Sequence, residues 1–180
     1  MAGLELCECR SVTDVDRLLA YEEIRQLAAR YALALDSRDL DALVALFVAD
    51  VRVGGEDGRA ALRAQFDATL REVGRTFLLV GTHVIDLVDA DHATGSVYCR
   101  GEIQVGERWI HQAILYDDRY ERREGSWLFV RRVHRLWYGA DVGANPLPLP
   151  PANWPEHHTG MGTVPEHWET WRAFWAAEEG

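Results

Sequence analysis

The sequence predicts an α+β domain, in which helices cover one face of a single antiparallel sheet. Two features of the patterning carry that expectation. Up to about residue 73 the apolar side chains recur at helical spacing, and from Arg75 onward the period falls towards two, with Val, Ile, Tyr, Trp and Phe enriched. Turn residues then divide the second half into long strands joined by tight hairpins. Residues 12–138 read as this domain, and residues 139–180 as a Pro/Trp-rich C-terminal extension that packs on the domain or on a neighbouring subunit.

Residues 1–11 read as irregular. Thr13 or Asp14 is suited to cap a first helix that runs to about Leu35. Along it Ile24, Leu27, Ala28, Tyr31, Ala32 and Leu35 form one apolar stripe. Asp36 follows at the end of the stripe, where the pattern calls for a core residue. A carboxylate there is costly unless it is paired or used. Ser37-Arg38-Asp39 breaks the helix, and Asp39 can cap a second one over residues 40–48. A short strand over 50–53 and a Gly-rich loop over 54–58 lead to a third helix over 59–73, with Leu62, Phe66, Leu70 and Val73 on one side. Strands are expected over 76–88, 93–105, 108–122 and 126–138. Beyond them lies a Pro-rich extended run over 145–155, then an amphipathic piece over 165–178 carrying Trp168, Trp171, Phe174 and Trp175. Such an aromatic tail packs over its own domain or a sister subunit, or closes a ligand pocket.

Composition removes several classes of function. A net charge of −10 argues against nucleic acid, which needs a basic face. All the basic residues are arginine, so Schiff-base chemistry through a lysine is excluded. Cys7, Cys9 and Cys99 have no zinc-site spacing and read as free thiols of a reducing compartment. His157-His158 beside Glu156 lacks ligand spacing as well, so no metal site is expected. No apolar run reaches the roughly 18 residues that suggest a membrane span, and MAGLELCECR does not resemble a signal peptide. The expectation is a cytoplasmic protein.

RYALALDSRDLDALVALFVADV near the start and YERREGSWLFVRRV near the end, in the order helix, helix, strand, helix, meander, resemble the SnoaL-like branch of the NTF2-like superfamily. The likeness covers roughly residues 15–138. It implies a cone-shaped α+β barrel around one apolar pocket and no cofactor. Scytalone dehydratase, bile-acid 7α-dehydratase, hexachlorocyclohexane dehydrochlorinase, polyketide cyclases and ketosteroid isomerase share this fold, as do binding proteins without catalysis. The resemblance further implies a homo-oligomer, dimer or trimer, formed through the outer face of the sheet, where Val80, Thr82 and Val84 are candidates.

In the dehydratase and dehydrochlorinase members an aspartate at the end of the first helix pairs with a histidine on the first long strand. Asp36 matches the aspartate, and Tyr31 matches a tyrosine of the bile-acid enzyme. The histidine position holds Leu79. His83 follows four residues later, and a period of two puts it on the same face as Leu79. Alignment with the relatives turns Arg132, His134 and Leu136 inward on the last strand, making His134 a second partner for Asp36. His111 counts as outward; Tyr98 and Arg100 read as a solvated or interface face. The expected catalytic set is therefore Asp36, His83, His134 and Tyr31, and the substrate-binding set is Leu79, Phe47, Arg132 and Leu136. The expected activity is cofactor-independent proton transfer (dehydration, isomerisation or cyclisation) on an apolar alicyclic, aromatic, steroid or polyketide-like molecule. Two alternatives stand beside it: a non-catalytic small-molecule-binding protein, and a structural β-type subunit of a ring-hydroxylating dioxygenase.

Overall fold

The computed structural model describes residues 13–143, 148–151 and 165–177. The readings made for residues 1–11, for Cys7 and Cys9, for His157 and His158, and for most of the Pro-rich run fall outside those residues.

Helix α1, Asp14–Asp36, starts at a capping box in which Thr13 and Asp16 each accept the other's backbone N–H at 3.1 Å. Its stripe is buried as the spacing predicts, from Ile24 through Leu35, and Asp36 is buried with it. Helix α2, Leu40–Ala45, is capped by the Asp39 carboxylate, which accepts the Ala42 N–H at 2.9 Å. It ends earlier than the periodicity suggests. Leu46 and Val48 leave the helix to exchange backbone hydrogen bonds with Phe129, at 2.9 and 3.0 Å, and so strap this segment to the sheet edge. The expected 54–58 loop contains a strand: β1, Arg52–Val53, pairs with β2, Glu56–Asp57, and helix α3, Arg59–Arg71, follows.

The sheet has the order β3-β4-β5-β6, all antiparallel. Its strands are Thr76–Leu87, His92–Val105, Arg108–Arg123 and Ser126–Asp141. The last of them runs three residues past the expected end at 138. The inner face carries Val97, Cys99, Ile114, Tyr116, Tyr120 and Phe129, packed with Ile24, Leu27, Tyr31, Leu43 and Phe47 from the helical side. Fully burying a side chain of this kind contributes about 1.5–3 kcal/mol, so this helix-on-sheet seam is what holds the two layers together. A short helix α4, Glu169–Ala176, lies against the body through buried Trp171 and Phe174.

Register shifts interrupt the ladders between Val80 and His83 on β3, and between β5 and β6 near Ile114 and near Tyr120. Each adds a residue to one strand, which bends it and changes which side chains face inward.

Candidate active site

Asp36 sits where α1 ends against the first strand of the sheet. It accepts the Thr76 hydroxyl at 2.8 Å and the Leu78 N–H at 2.9 Å. Arg38, held at φ 58° just past the helix end, donates to the same Thr76 oxygen at 2.9 Å and to the carbonyls of Leu35 and Gly74. Its guanidinium lies 4.8 Å from the Trp171 ring, and Thr170 donates to the Ser37 carbonyl at 2.8 Å. The C-terminal helix therefore closes this end of the molecule. Burial pushes the Asp36 carboxyl up to about 6, against the opposing pull of the Leu78 and Thr76 hydrogen bonds and of Arg38. Burial also lowers Arg38, to about 10, with Asp36 opposing.

The expected partnership of Asp36 with a histidine is not formed. Among the described residues Asp36 bonds to Thr76 and Leu78, not to an imidazole. His83 lies five residues beyond Leu78, on the order of 15 Å along the strand. Nor do Leu79 and His83 share a face. The register shift at Gly81-Thr82 inserts a residue, so Leu78 and Val80 point inward before it, and His83 and Ile85 after it. Leu79 is 54% exposed on the outer face with Val84, which separates it from the interior substrate set. Val80, expected on the outer face, packs against the core instead.

His83 belongs to a different constellation. Its Nε2 is 3.0 Å from the Tyr120 hydroxyl, which donates to Asp118 Oδ2 at 2.7 Å. Asp118 in turn holds Arg132 through two hydrogen bonds, Nε to Oδ1 at 2.9 Å and Nη2 to Oδ2 at 2.7 Å. Both side chains of that pair are almost fully enclosed, at 5% and 0% exposure. The Arg132 guanidinium is caged by the rings of Tyr31, Tyr116 and Phe129, at 4.3–4.4 Å. Burial alone would lower Arg132, but the hydrogen bonds and charge of Asp118 raise it, so the cation persists.

This network assigns the histidine tautomer. A carboxylate only accepts, so Tyr120 spends its proton on Asp118. The phenol oxygen is then the acceptor for an Nε2–H of His83, and the lone pair rests on Nδ1. That Nδ1 is buried with no hydrogen-bond partner. Burial holds the imidazole down at about 4, partly countered by Asp118, so the ring is neutral at ordinary pH. The arrangement presents an uncommitted proton acceptor whose far side is braced by a phenol and a carboxylate.

The remaining expected residues are distributed around this network. Tyr31 is buried beneath Arg132, edge-on to Phe47, Phe66, Tyr116 and Phe129, and burial raises its hydroxyl pKa. Phe47 is buried in the same ring cluster. Arg132, His134 and Leu136 are all in register with inward residues of β5, as expected. His134 packs edge-on against Tyr116 at 5.5 Å, and partial burial lowers its pKa. Leu136 is 50% exposed despite its inward register. His111 stands outside, against Glu102.

Sequence reasoning passed over Asp118, Tyr120 and Gly95. The signal for Asp118 was available: in Tyr116-Asp-Asp-Arg-Tyr120, strict alternation puts Asp118 on the tyrosine face, opposite Arg132. Gly95 is required by close approach, since a Cβ there would lie 3.0 Å from the Tyr120 ring and 3.1 Å from its hydroxyl oxygen. Among the described residues no group of three His, Cys, Asp or Glu side chains is gathered as a metal site.

Comparison with known proteins bears on this geometry. The gamma-hexachlorocyclohexane dehydrochlorinase of Sphingobium indicum is 26% identical over 129 residues, covering 67% of this chain and 83% of that one. Among solved structures, a protein described as a putative scytalone dehydratase from Novosphingobium aromaticivorans superposes with a TM-score of 0.65 at 21% identity, over 73% of this chain and 93% of that one. A hexachlorocyclohexane dehydrochlorinase from Novosphingobium barchaimii superposes with a TM-score of 0.66 at 22% identity, over 73% and 95%. These superpositions establish the fold. The model of the SnoaL-like domain matches residues 16–133, which holds every member of the His83 network and Asp36, and the chain belongs to that family, within the NTF2-like superfamily.

Proposed function

We propose that this chain is a cofactor-independent enzyme of the lyase or isomerase type, acting by proton transfer on an apolar small molecule. The observation that carries the proposal is the His83–Tyr120–Asp118–Arg132 chain, which leaves a neutral imidazole with its free lone pair inside the fold. His83 Nδ1 removes a proton from a carbon next to a carbonyl or a leaving group. The released electron pair forms the new double bond, and the leaving group departs with its own pair. The imidazolium so formed is stabilised by the phenol oxygen and by the Asp118 carboxylate behind it. For dehydration the proton then passes to the departing hydroxyl. An apolar cyclic substrate, in the range alicyclic, aromatic, steroid or polyketide-like, is the class we assign. The aromatic cluster around Tyr31 and the hexachlorocyclohexane and scytalone named for the relatives support its alicyclic and aromatic members. Tyr31 and Arg132 orient substrate oxygen from the ring cluster, and Asp36 supplies a second ionisable group at the α1 end.

The test is elimination from γ-hexachlorocyclohexane, followed by chloride release, beside a panel of hydroxylated cyclic ketones followed by ultraviolet absorbance. His83→Gln is expected to reduce turnover by about 10²–10⁴-fold. In the wild type kcat/KM should rise with pH near 4, where His83 loses its proton, and stay level through 6. A rise centred near 6, lost in Asp36→Asn and kept in His83→Gln, would move the base to Asp36 and overturn this assignment.

A second reading, a non-catalytic binding protein, is favoured by one observation. Both oxygens of Asp36 are spent on tying α1 to β3. That reading expects ligand binding without turnover in every substrate tried. For assembly we propose a homo-oligomer through the outer sheet face, where Leu79, Val84, Tyr98 and Trp137 are exposed. Among the described residues no helix is long and apolar enough to cross a membrane.

A further inference from the structure

Arg119 and Arg131 are direct partners across β5 and β6, and both are exposed on the outer face. Like charges placed opposite one another destabilise a strand pair. Other arginines of this sheet avoid that cost: Arg100, Arg108, Arg123 and Arg135 each lie against a carboxylate, of Glu102, Asp141, Asp50 and Asp117 respectively. Arg119 and Arg131 have no such partner among the described residues. Acids are not scarce, since the chain holds 29 of them against 19 basic residues. Asp86 and Asp117 border a neighbouring cleft with the same two arginines, but neither forms an ion pair with Arg119 or Arg131.

A groove of about 410 Å³ opens beside the pair. Val130, partly buried, gives it an apolar wall beside the buried Val48 and Val51, and Asp50 lines it as well. The register shift near Tyr120 leaves Val130 as the extra residue of β6 and bends the strand at this point. The backbone strap from Leu46 and Val48 to Phe129 brings the approach to β1 alongside β6. Arg52 and Arg123 also line the groove, but they are engaged by Asp57 and Asp50.

We propose that this groove is a second binding site, for a small organic carboxylate with an apolar body, held by the juxtaposed Arg119 and Arg131 with its body along Val130. Guanidinium groups match a carboxylate two oxygens at a time. A bare inorganic anion leaves the accessible part of Val130 uncovered. An uncharged apolar molecule leaves the arginine repulsion in place. Only the amphipathic anion answers both features.

Octanoate is the probe, titrated calorimetrically at low salt into the full chain, with octanol and inorganic phosphate in parallel. Octanoate should bind with one site per chain, at least about tenfold more tightly than either control. Arg119→Gln and Arg131→Gln should each weaken it about tenfold or more, and the double variant should lose it. Each variant should melt at or above the wild-type temperature, because removing one charge relieves the opposed pair. His83→Gln, whose site is in the interior, should keep the octanoate affinity. The proposal is overturned if the double variant binds octanoate as the wild type does, if phosphate or octanol binds equally well, or if His83→Gln abolishes binding. It is also overturned if the arginine variants melt below the wild type, which would make the pair a structural element.

Discussion

Asp36→Asn should stabilise this protein at neutral pH, although it removes a carboxylate that makes two good hydrogen bonds. Burial lifts Asp36 from its ordinary 3.8 to about 6. Between those values the folded chain keeps a proton that the unfolded chain has released, so folding stability falls as pH rises through that window. The loss is complete above about 6 and amounts to about 3 kcal/mol, at 1.36 kcal/mol for each tenfold change in proton affinity. Asparagine can satisfy the same partners: its oxygen accepts the Leu78 N–H, and its amide donates to Thr76 Oγ1, which still has a lone pair beside the Arg38 contact. The variant should therefore match the wild type near pH 4 and exceed it by up to about 3 kcal/mol at pH 8. Urea denaturation of both proteins across that range measures the difference directly. Taking the difference matters, because His83 has the opposite sign: its lowered value makes stability rise with pH between about 4 and its ordinary 6.5. A variant less stable than the wild type at pH 8, with the same pH slope, would refute the reasoning. It would mean that the ionised carboxylate is held favourably by its donors and is simply a fastening between α1 and β3.

Arg132→Met should destabilise by about 3–5 kcal/mol, because it strands the enclosed Asp118 charge without its partner. Adding Asp118→Leu should recover most of that loss in denaturant titrations while leaving turnover low, since the brace behind Tyr120 is gone. Gly95→Ala should push the Tyr120 hydroxyl out of line, because the new methyl group meets the ring at 3.0 Å. The expected result is a loss of kcat of about tenfold or more with every titratable residue intact, measured in the same elimination assay. Activity unchanged in this variant would show that the Tyr120–His83 link is not used.

How far the sequence could be read depends on which physical signal each feature left in it. α1 was legible to its last turn because a six-residue stripe at fixed spacing admits only one buried face. The strands and their hairpins were legible because β-branched and aromatic runs were punctuated by Gly and Asp. α2 was not, because its final residues have good helical pattern and lose to a tertiary bond: the edge of β6 offers Phe129 N–H and C=O, and Leu46 and Val48 satisfy them. Asp36 stood out because an acid ended an apolar stripe. Asp118 did not stand out, although it is the more deeply enclosed of the two, because an aspartate in a run of charged residues looks solvated until strand alternation is counted.

The bulge on β3 explains why the expected dyad and the observed network differ. Alternation along a strand is an exact bookkeeping of faces only while the ladder is regular. Gly81-Thr82 adds one residue, and every side chain beyond it changes sides. Before the bulge the inward row is Thr76, Leu78 and Val80, and it meets Asp36; after it the inward row is His83, Ile85 and Leu87, and its histidine meets Tyr120. A single irregularity thus turns Leu79 out and brings His83 in. Reading the strand with unbroken period two puts the two on one face and directs His83 towards Asp36. With the bulge in place, His83 reaches Asp118 on β5 through Tyr120, and the carboxylate at the end of α1 is left to its hydrogen bonds with Thr76 and Leu78.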